Sequence, residues 1–471
     1  MRIQSLTTIA ILCLTVNAFS QIQFTTHIVT PGAGTTDNAT YVLTFDVEGD
    51  GDMDIVSSSW LDNKIAWYEN GGNQDFTQHI IHDGAPGASW LYAIDLDDDE
   101  DIDVLSTAML EDRVYWYENA GQGSFATHIV DSTANPTGWG RFSVSAYDVD
   151  SDGDMDVMSG SWDKTEIKWH ENDGNQNFTT HLIDNPGQRS HVIAKDLDGD
   201  GDVDLLSASQ ISNTVAWYEN DGDENFTTHI ISNASGHART VVATDLDEDG
   251  DIDVLAGLFA ENTRVEWYEN DGNQNFTTHQ IPESSSNTGS IYVVDVDNDN
   301  DLDIFTSSGH FNMVGWLEND GDENFAFHII TTNAGFPAAV WGSDVDSDGD
   351  MDVLSAGLDG DQIAWYESNL NDTPSSVENT ATIPLQFSLD QNYPNPFNPT
   401  TTIAFSLRQS GFATLKVYNL LGEEVATLLG EHKPAGQHTV NVDASSLASG
   451  IYYYTLTAAD FKQTRKMLLL R

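Results

Sequence analysis

One cysteine in 471 residues excludes a disulfide framework. That residue, Cys13, lies inside a short apolar run, Ile9 to Val16, which follows Arg2 and precedes Ala18-Phe19-Ser20. The pattern reads as a secretory signal over residues 1–20 with a small-residue cleavage site. The run falls short of the ~20 residues that cross a bilayer, and no later segment is long and apolar enough to do so. Bases are scarce as well: 17 Lys and Arg stand against 76 Asp and Glu, a net charge of −59. The scarcity is local. Residues 383–471 hold seven bases and six acids, whereas the preceding residues hold ten bases and seventy acids. A surface of that sign repels nucleic acid and anionic membrane and attracts cations. Disorder is excluded by 12 Trp, 20 Phe and 15 Tyr. An exported chain without disulfides needs another source of rigidity.

What the sequence has in abundance is self-similarity. An acidic motif begins at Asp46, Asp95, Asp148, Asp196, Asp245, Asp295 and Asp344, in steps of 49, 53, 48, 49, 50 and 49 residues. A second motif, Trp-Tyr-Glu-Asn or a near variant, begins at Trp67, Trp116, Trp169, Trp217, Trp267, Trp316 and Trp365 with a matching period. Each unit is thus one supersecondary module. The fourth predicts strands near Val192–Leu197, Val203–Ser209, Thr214–Asn220 and Phe226–Ile231, with β-branched and apolar residues between Gly, Asn and Asp turns. Four strands in ~50 residues make a propeller blade. The ends decide that the repeats form a ring. Six tryptophan motifs are followed by a segment like Phe226-Thr-Thr-His-Ile230, and the seventh is not. Gln23-Phe-Thr-Thr-His-Ile28 instead stands near the start with no tryptophan motif before it. The early segment supplies the last blade's missing strand, which closes the sheet edge. The fold class is therefore all-β: a seven-bladed propeller over 21–368, a linker over 369–384, and a small Ig-like β-sandwich over 385–471.

Between the first and second strands of every unit runs a nine-residue acidic loop. The first offers Asp46, Glu48, Asp50, Asp52 and Asp54, and the second Asp95, Asp97, Asp99, Asp101 and Asp103. Asp148, Asp150, Asp152, Asp154 and Asp156 follow, then Asp196, Asp198, Asp200, Asp202 and Asp204. The fifth has Asp245, Asp247, Asp249, Asp251 and Asp253, the sixth Asp295, Asp297, Asp299, Asp301 and Asp303. The seventh has Asp344, Asp346, Asp348, Asp350 and Asp352. Ca²⁺ takes six to eight oxygens at ~2.3–2.6 Å, and alternate carboxylates in a tight turn can converge on it. Positions 1, 3, 5 and 9 would offer side chains, and position 7 its backbone carbonyl. Glycine at position 6 supplies a left-handed turn; Glu100 and Asn300 replace it in loops two and six. An EF-hand is excluded, because the closing acid stands at position 9 between strands. Seven near-identical loops point to up to seven structural calcium ions rather than to one active site.

Seven of the tryptophans and the histidines His27, His79, His128, His181, His229, His279 and His328 belong to the repeat and read as structural. The residues that break the repeat are the ligand candidates. Trp60, Trp162 and Phe259 lie six residues past a closing aspartate, at the strand ends opposite the acidic loops. Trp90, Trp139 and Trp341, with Arg141, Arg189 and Arg239, are expected on the connections of that same face. Aromatic platforms with a few bases suit a sugar or a peptide. No Gly-x-Ser-x-Gly, His-Glu-x-x-His or Gly-rich phosphate loop occurs, so no enzyme activity is expected.

The acidic loops and their apolar strands, Asp46–Asp54 through Asp344–Asp352, resemble the FG-GAP/VCBS repeats. This resemblance implies a propeller like the integrin α-subunit head, calcium in the loops, and a role in adhesion or recognition. The tail motifs are Phe387-Ser-Leu-Asp390-Gln-Asn-Tyr-Pro-Asn-Pro-Phe-Asn-Pro399, Leu415–Val425, Ser449-Gly-Ile-Tyr-Tyr453 and a basic end at Lys462–Arg471. They resemble the C-terminal sorting domain of type IX secretion cargo. That likeness implies recognition by the type IX machinery and release from, or attachment to, the surface of a Bacteroidetes-like bacterium. The expected function is recognition of an extracellular glycan or protein. A polysaccharide-active or metal-dependent hydrolase and a structural surface-layer component remain open alternatives.

Overall fold

The computed structural model describes residues 22–30, 38–72, 75–132, 139–233, 236–259, 265–281, 287–321, 323–359 and 362–370. In the C-terminal part it describes 387–389, 392, 395, 397, 399–408, 411–419, 424–433, 436–444, 447, 450–458 and 461–469. The expected signal, 1–20, and most of the expected linker lie outside these residues. The chain divides into two units, Met1–Asp372 and Thr373–Arg471. Among the described residues no helix is long and apolar enough to cross a membrane.

The first unit holds seven four-stranded antiparallel sheets. Blade 1 is Ala39–Phe45, Asp54–Ser59, Lys64–Asn70 and Phe76–His82, and blade 4 is Ser190–Lys195, Asp204–Ser209, Thr214–Asn220 and Phe226–Ser232. Blade 4's first strand lies two residues earlier than its apolar run suggests. Leu197 is buried as the second residue of the acidic loop and not as strand. The first strand of each blade packs on that of the next, and Pro337–Ser343 of blade 7 packs on Ala39–Phe45 of blade 1. The ring is closed. Blade 7 takes its outer strand from the start of the chain: Phe24–Ile28 pairs antiparallel with Gln362–Ser368, Phe24 opposite Ser368 and Ile28 opposite Ala364.

Second strands are buried on both faces, as in Asp204–Ser209, whereas the outer strand Phe226–Ser232 has no fully buried residue. The core sits between blades, where for example Met158, Trp169 and Val192 meet Leu205, Ala216 and Tyr218. Trp90 and His191, two blades apart, lie with ring centroids at 4.4 Å, so inner-strand side chains meet across the ring's centre. Most inner strands start with a bulge, between Ala238 and Thr240 for instance, that turns the skipped residue out of the ladder.

The second unit is a sandwich of a three-stranded and a four-stranded antiparallel sheet. Leu389, Ile403 and Phe405 of one sheet pack with Leu415, Tyr454, Leu456 and Met467 of the other. The backbone N–H of buried Asn392 donates to the Tyr454 hydroxyl at 2.7 Å, which fixes part of the Asn-Tyr-Pro-Asn-Pro segment.

Candidate functional site

The acidic loops share one geometry. In all seven, the position-6 N–H donates to the position-1 carboxylate, from Gly51 to Asp46 at 2.8 Å through Gly349 to Asp344 at 3.1 Å. The position-7 N–H donates to the position-5 carboxylate, as in Asp202 to Asp200 at 3.0 Å. The closing aspartate takes two backbone donors: Asp204 Oδ2 accepts Leu197 N–H at 3.1 Å, and Oδ1 accepts Asn220 N–H at 2.8 Å. Position 9 therefore ties the loop to the third strand. Position 6 is left-handed throughout, with φ of 101° at Gly201, 76° at Glu100 and 79° at Asn300. Loop two thus keeps the common shape despite its glutamate. Position 4 is left-handed too, at Gly49, Asp98, Ser151, Gly199, Glu248, Asn298 and Ser347. The sequence hides this because those residue types differ.

Whether a cation fits is answered by the oxygens. In Asp46/Glu48/Asp54, Asp95/Asp97/Asp99, Asp148/Asp150/Asp152, Asp196/Asp198/Asp204 and Asp245/Asp247/Asp249, one carboxylate oxygen from each residue lies within 4.8 Å of the others. Ligands at ~2.3–2.6 Å from a common centre have that separation. Glu48 Oε2 and the Oδ1 atoms of Asp97, Asp148, Asp245 and Asp297 are buried with no hydrogen-bond partner, a costly state for an acceptor. These groups can hold a metal ion. Burial pushes the closing carboxyls up, to about 7 for Asp103 and Asp156, about 6 for Asp204 and Asp253, and about 8 for Asp303 and Asp352, against their backbone donors. A divalent charge among them reverses that preference. Position-7 side chains turn toward the neighbouring hairpin: a Cβ on Gly222 would lie 2.6 Å from Asp202 Oδ2, so glycine makes room for that carboxylate.

The Trp-Tyr-Glu-Asn motif does more than fill the core. Its asparagine reaches the acidic loop of the previous blade, with Asn119 Nδ2 donating to Val47 O at 3.0 Å and Asn220 Nδ2 to Val149 O at 3.2 Å. Its glutamate holds the outer-strand histidine, as in Glu219 Oε2 to His229 Nε2 at 2.7 Å, and that ring stacks on Trp217 at 4.6 Å. All seven His–Glu pairs recur, from His27–Glu367 to His328–Glu318. In blade 3 His170 replaces the tyrosine, bonding Ser159 Oγ at 2.9 Å, and burial drives its pKa to about 3.

At the opposite ends of the second strands, backbone bonds string the connections together. Gly140 N–H donates to Met109 O, Trp162 N–H to Gly140 O, Arg189 N–H to Trp162 O and Gln210 N–H to Arg189 O. On this frame Trp60 and Trp139 lie with ring centroids at 5.5 Å, and Trp139 and Trp162 at 5.1 Å. Trp139 is 42% exposed. The Arg189 guanidinium lies 4.0 Å over Trp162 and donates to Gln210 Oε1 at 3.2 Å. Arg239 lies 5.0 Å over Phe259.

Arg239 is the bulged second residue of the inner strand Ala238–Thr244 and not on a connection, and three expected ligand residues sit away from this face. Arg141 is fully buried and paired with Asp131 at 2.6 Å, Glu166 at 3.5 Å and Asp112 at 3.7 Å, while Lys164 pairs with Asp112 and Lys168 with Glu166. A cation so enclosed binds blade 2 to blade 3 and meets no surface ligand. Trp90 is within the inner strand Ala88–Ile94 and not on a connection; it packs on Tyr41, Phe142 and His191 in the channel. Trp341 is likewise in the inner strand Pro337–Ser343, against Tyr292 at 4.8 Å, with Nε1 donating to Thr44 Oγ1 at 3.1 Å across the ring closure.

Family models for the FG-GAP-like repeat match residues 46–106, 95–159, 148–207, 196–256 and 257–306. The model of the secretion system C-terminal sorting domain matches residues 391–470. No curated protein matches the sequence. Among solved structures, BBS1N, crystallised in complex with ARL6DN, is 12% identical with a TM-score of 0.52, over 75% of this chain and 97% of that one. PorZ, a surface component of the type IX secretion system of Porphyromonas gingivalis, is 12% identical at 0.45, over 94% and 61%. The periplasmic gluconolactonase of Pseudomonas aeruginosa is 10% identical at 0.43, over 60% and 87%. At such identities the likeness extends to the fold alone. Repeats spanning more than half of the sequence make this chain a member of the FG-GAP-like repeat family, and its C-terminal sorting domain marks it for export by the type IX secretion system.

Proposed function

We propose that this chain is an exported recognition module that binds an extracellular glycan or protein on the face opposite its acidic loops. The observation that carries this reading is the contiguous Trp60–Trp139–Trp162 ladder, open to solvent at its centre. An exposed tryptophan is costly to keep in water, and Trp139, flanked by the tilted rings of half-buried Trp60 and Trp162, offers an apolar platform to a sugar or a side chain. In the same reading the acidic loops hold calcium as a staple. Bound calcium supplies the positive charge that lets five acids share a nine-residue turn. Asp196, Asp198, Asp200 and Asp204, and their counterparts, would hold it through side chains, and Asp202 through its carbonyl.

Binding without turnover fits the engagement of carboxylates from the blades that carry the ladder. Asp112 and Asp131 are engaged by Lys164, Arg141 and Lys168, and Asp163 Oδ2 accepts the Trp139 N–H at 3.0 Å. The test is a glycan and surface-protein array probed with the ring freed of its sorting domain. Retained, uncut ligand is expected, and Trp139→Ala and Trp162→Ala are each expected to weaken binding about 30-fold, the scale of a truncated interfacial tryptophan. Ligand returned as cleaved product would make the protein a hydrolase, and binding indifferent to both changes would remove the ladder from the site.

A further inference from the structure

The bases of the ring carry a second message. Residues 1–382 contain ten bases among seventy acids. Arg2 and Arg264 lie outside the described residues. Of the other eight, Lys64, Arg113, Arg141, Lys164 and Lys168 sit within ion-pair distance of a carboxylate. With acids in sevenfold excess, that is the expected fate of every base. Lys195 stands beside the acidic loop that begins at Asp196. Like Lys195, Arg189 and Arg239 have no carboxylate within 4.0 Å among the described residues, but they lie at the end of the ring away from the acidic loops, and the charge of Arg189 disfavours that of Arg239.

Both guanidiniums are only partly exposed, and burial depresses both pKa values, that of Arg239 to about 10. Two neighbouring, half-desolvated cations cost free energy unless an anion joins them. Asp163 favours the charge on Arg189, but its carboxylate accepts the Trp139 backbone N–H. Arg189 is left-handed at φ 60°, the conformation that Asn38, Gly87, His237, Asn287 and Phe336 also adopt just before their inner strands. Each guanidinium lies on an aromatic ring, Arg189 on Trp162 and Arg239 on Phe259, so its flat face is fixed and its edge keeps N–H donors for a planar or tetrahedral anion. Through Trp162 this cationic pair continues the tryptophan ladder.

Resting on the recognition reading above, we propose that the ligand is an acidic polysaccharide. A sugar packs on exposed Trp139, flanked by Trp60 and Trp162, and a carboxylate or sulfate of the same chain lies on Arg189 and Arg239. The test titrates the tail-free ring, in millimolar calcium, with three soluble hexasaccharides: a polyuronate, a sulfated galactan and a neutral glucan. Tighter binding of either acidic hexamer is expected, and the stronger of the two names the anion. Arg189→Gln is expected to cost the acidic hexamer about 10- to 100-fold, the worth of a charged hydrogen bond, and to leave the neutral one within twofold. Arg189→Lys is expected to fall between, since it keeps the charge and loses the fork. Trp139→Ala, at an exposed position, should weaken acidic and neutral hexamers alike. Equal affinity for all three, or an arginine effect equal on all three, overturns the acidic assignment and leaves the ladder as a sugar site. Capture of a protein alone, dependent on Trp139, also overturns it while the recognition reading stands. Ligand binding that ignores Trp139, Trp162 and Arg189 together sinks both.

Discussion

Excess EDTA should lower the melting temperature of the ring by more than about 10 °C. At a Kd of ~10⁻⁴ M, common for extracellular calcium modules, millimolar calcium contributes about 1.4 kcal/mol per site. Seven sites give roughly 10 kcal/mol, as large as the net stability of a whole domain. A ring of this size unfolds with an entropy near 0.7 kcal/mol/K, from ~2 cal/mol/K per residue, which converts that loss into the shift stated. Metal-free protein should also acquire a pH dependence of definite sign. The closing carboxyls of Asp103, Asp156, Asp204, Asp253, Asp303 and Asp352 have folded pKa values raised to between about 6 and about 8 by burial. Their unfolded values are near 3.9. The folded state then binds more protons in that interval, so the stability these six carboxyls contribute is fully present below about pH 4 and is lost as pH rises through 6 to 8. Melting curves at pH 5 and pH 8, with and without EDTA, check both claims. An identical melt in EDTA at pH 8 would falsify the staple.

Deleting residues 22–30 should open the ring. Phe24–Ile28 is the outer strand of blade 7, and the segment continues through Val29, whose N–H donates to Ile363 O at 3.0 Å, into buried Thr30. His27 also bonds Glu367 at 2.6 Å and stacks on Trp365 at 4.3 Å. Without the strand, Gln362–Ser368 becomes an unpaired edge with an apolar surface, a template for another chain. At ~1 kcal/mol per net backbone bond, with Val29 exposed as well, the loss is on the order of 5 kcal/mol. The shortened protein should melt earlier and form dimers or larger species on size exclusion. A peptide of the deleted residues, supplied in trans, should reverse both changes by adding the strand back. A monomer with an unchanged melt would mean that this strand does not hold the ring shut.

The closure was legible because the repeat is cut unevenly at its ends, so that a Phe-Thr-Thr-His-Ile segment without its tryptophan partner can have only one place. The acidic loops were legible for a different reason: carboxylates at alternate positions, seven times over, have few physical justifications. The left-handed position 4 was not, since Gly49, Ser151 and Glu248 share no side-chain signal for it. Irregular tryptophans misled in part. Trp139 and Trp90 both break the repeat, yet one is open to solvent and the other fills the channel from a bulged inner strand. Nothing in one-dimensional spacing separates those fates. Arg141 reads as a surface base in the sequence because its partners come from a turn (Asp112), an outer strand (Asp131) and a loop (Glu166), at intervals no motif records.

Counting bound calcium tests the account most directly. Equilibrium dialysis of the metal-stripped ring against millimolar calcium should load several ions per chain, up to seven. Replacing Asp196 and Asp198 together with Asn should remove a single one. Fewer than one ion per chain at that concentration, in a protein that is still folded, would contradict the idea that cations hold these turns together.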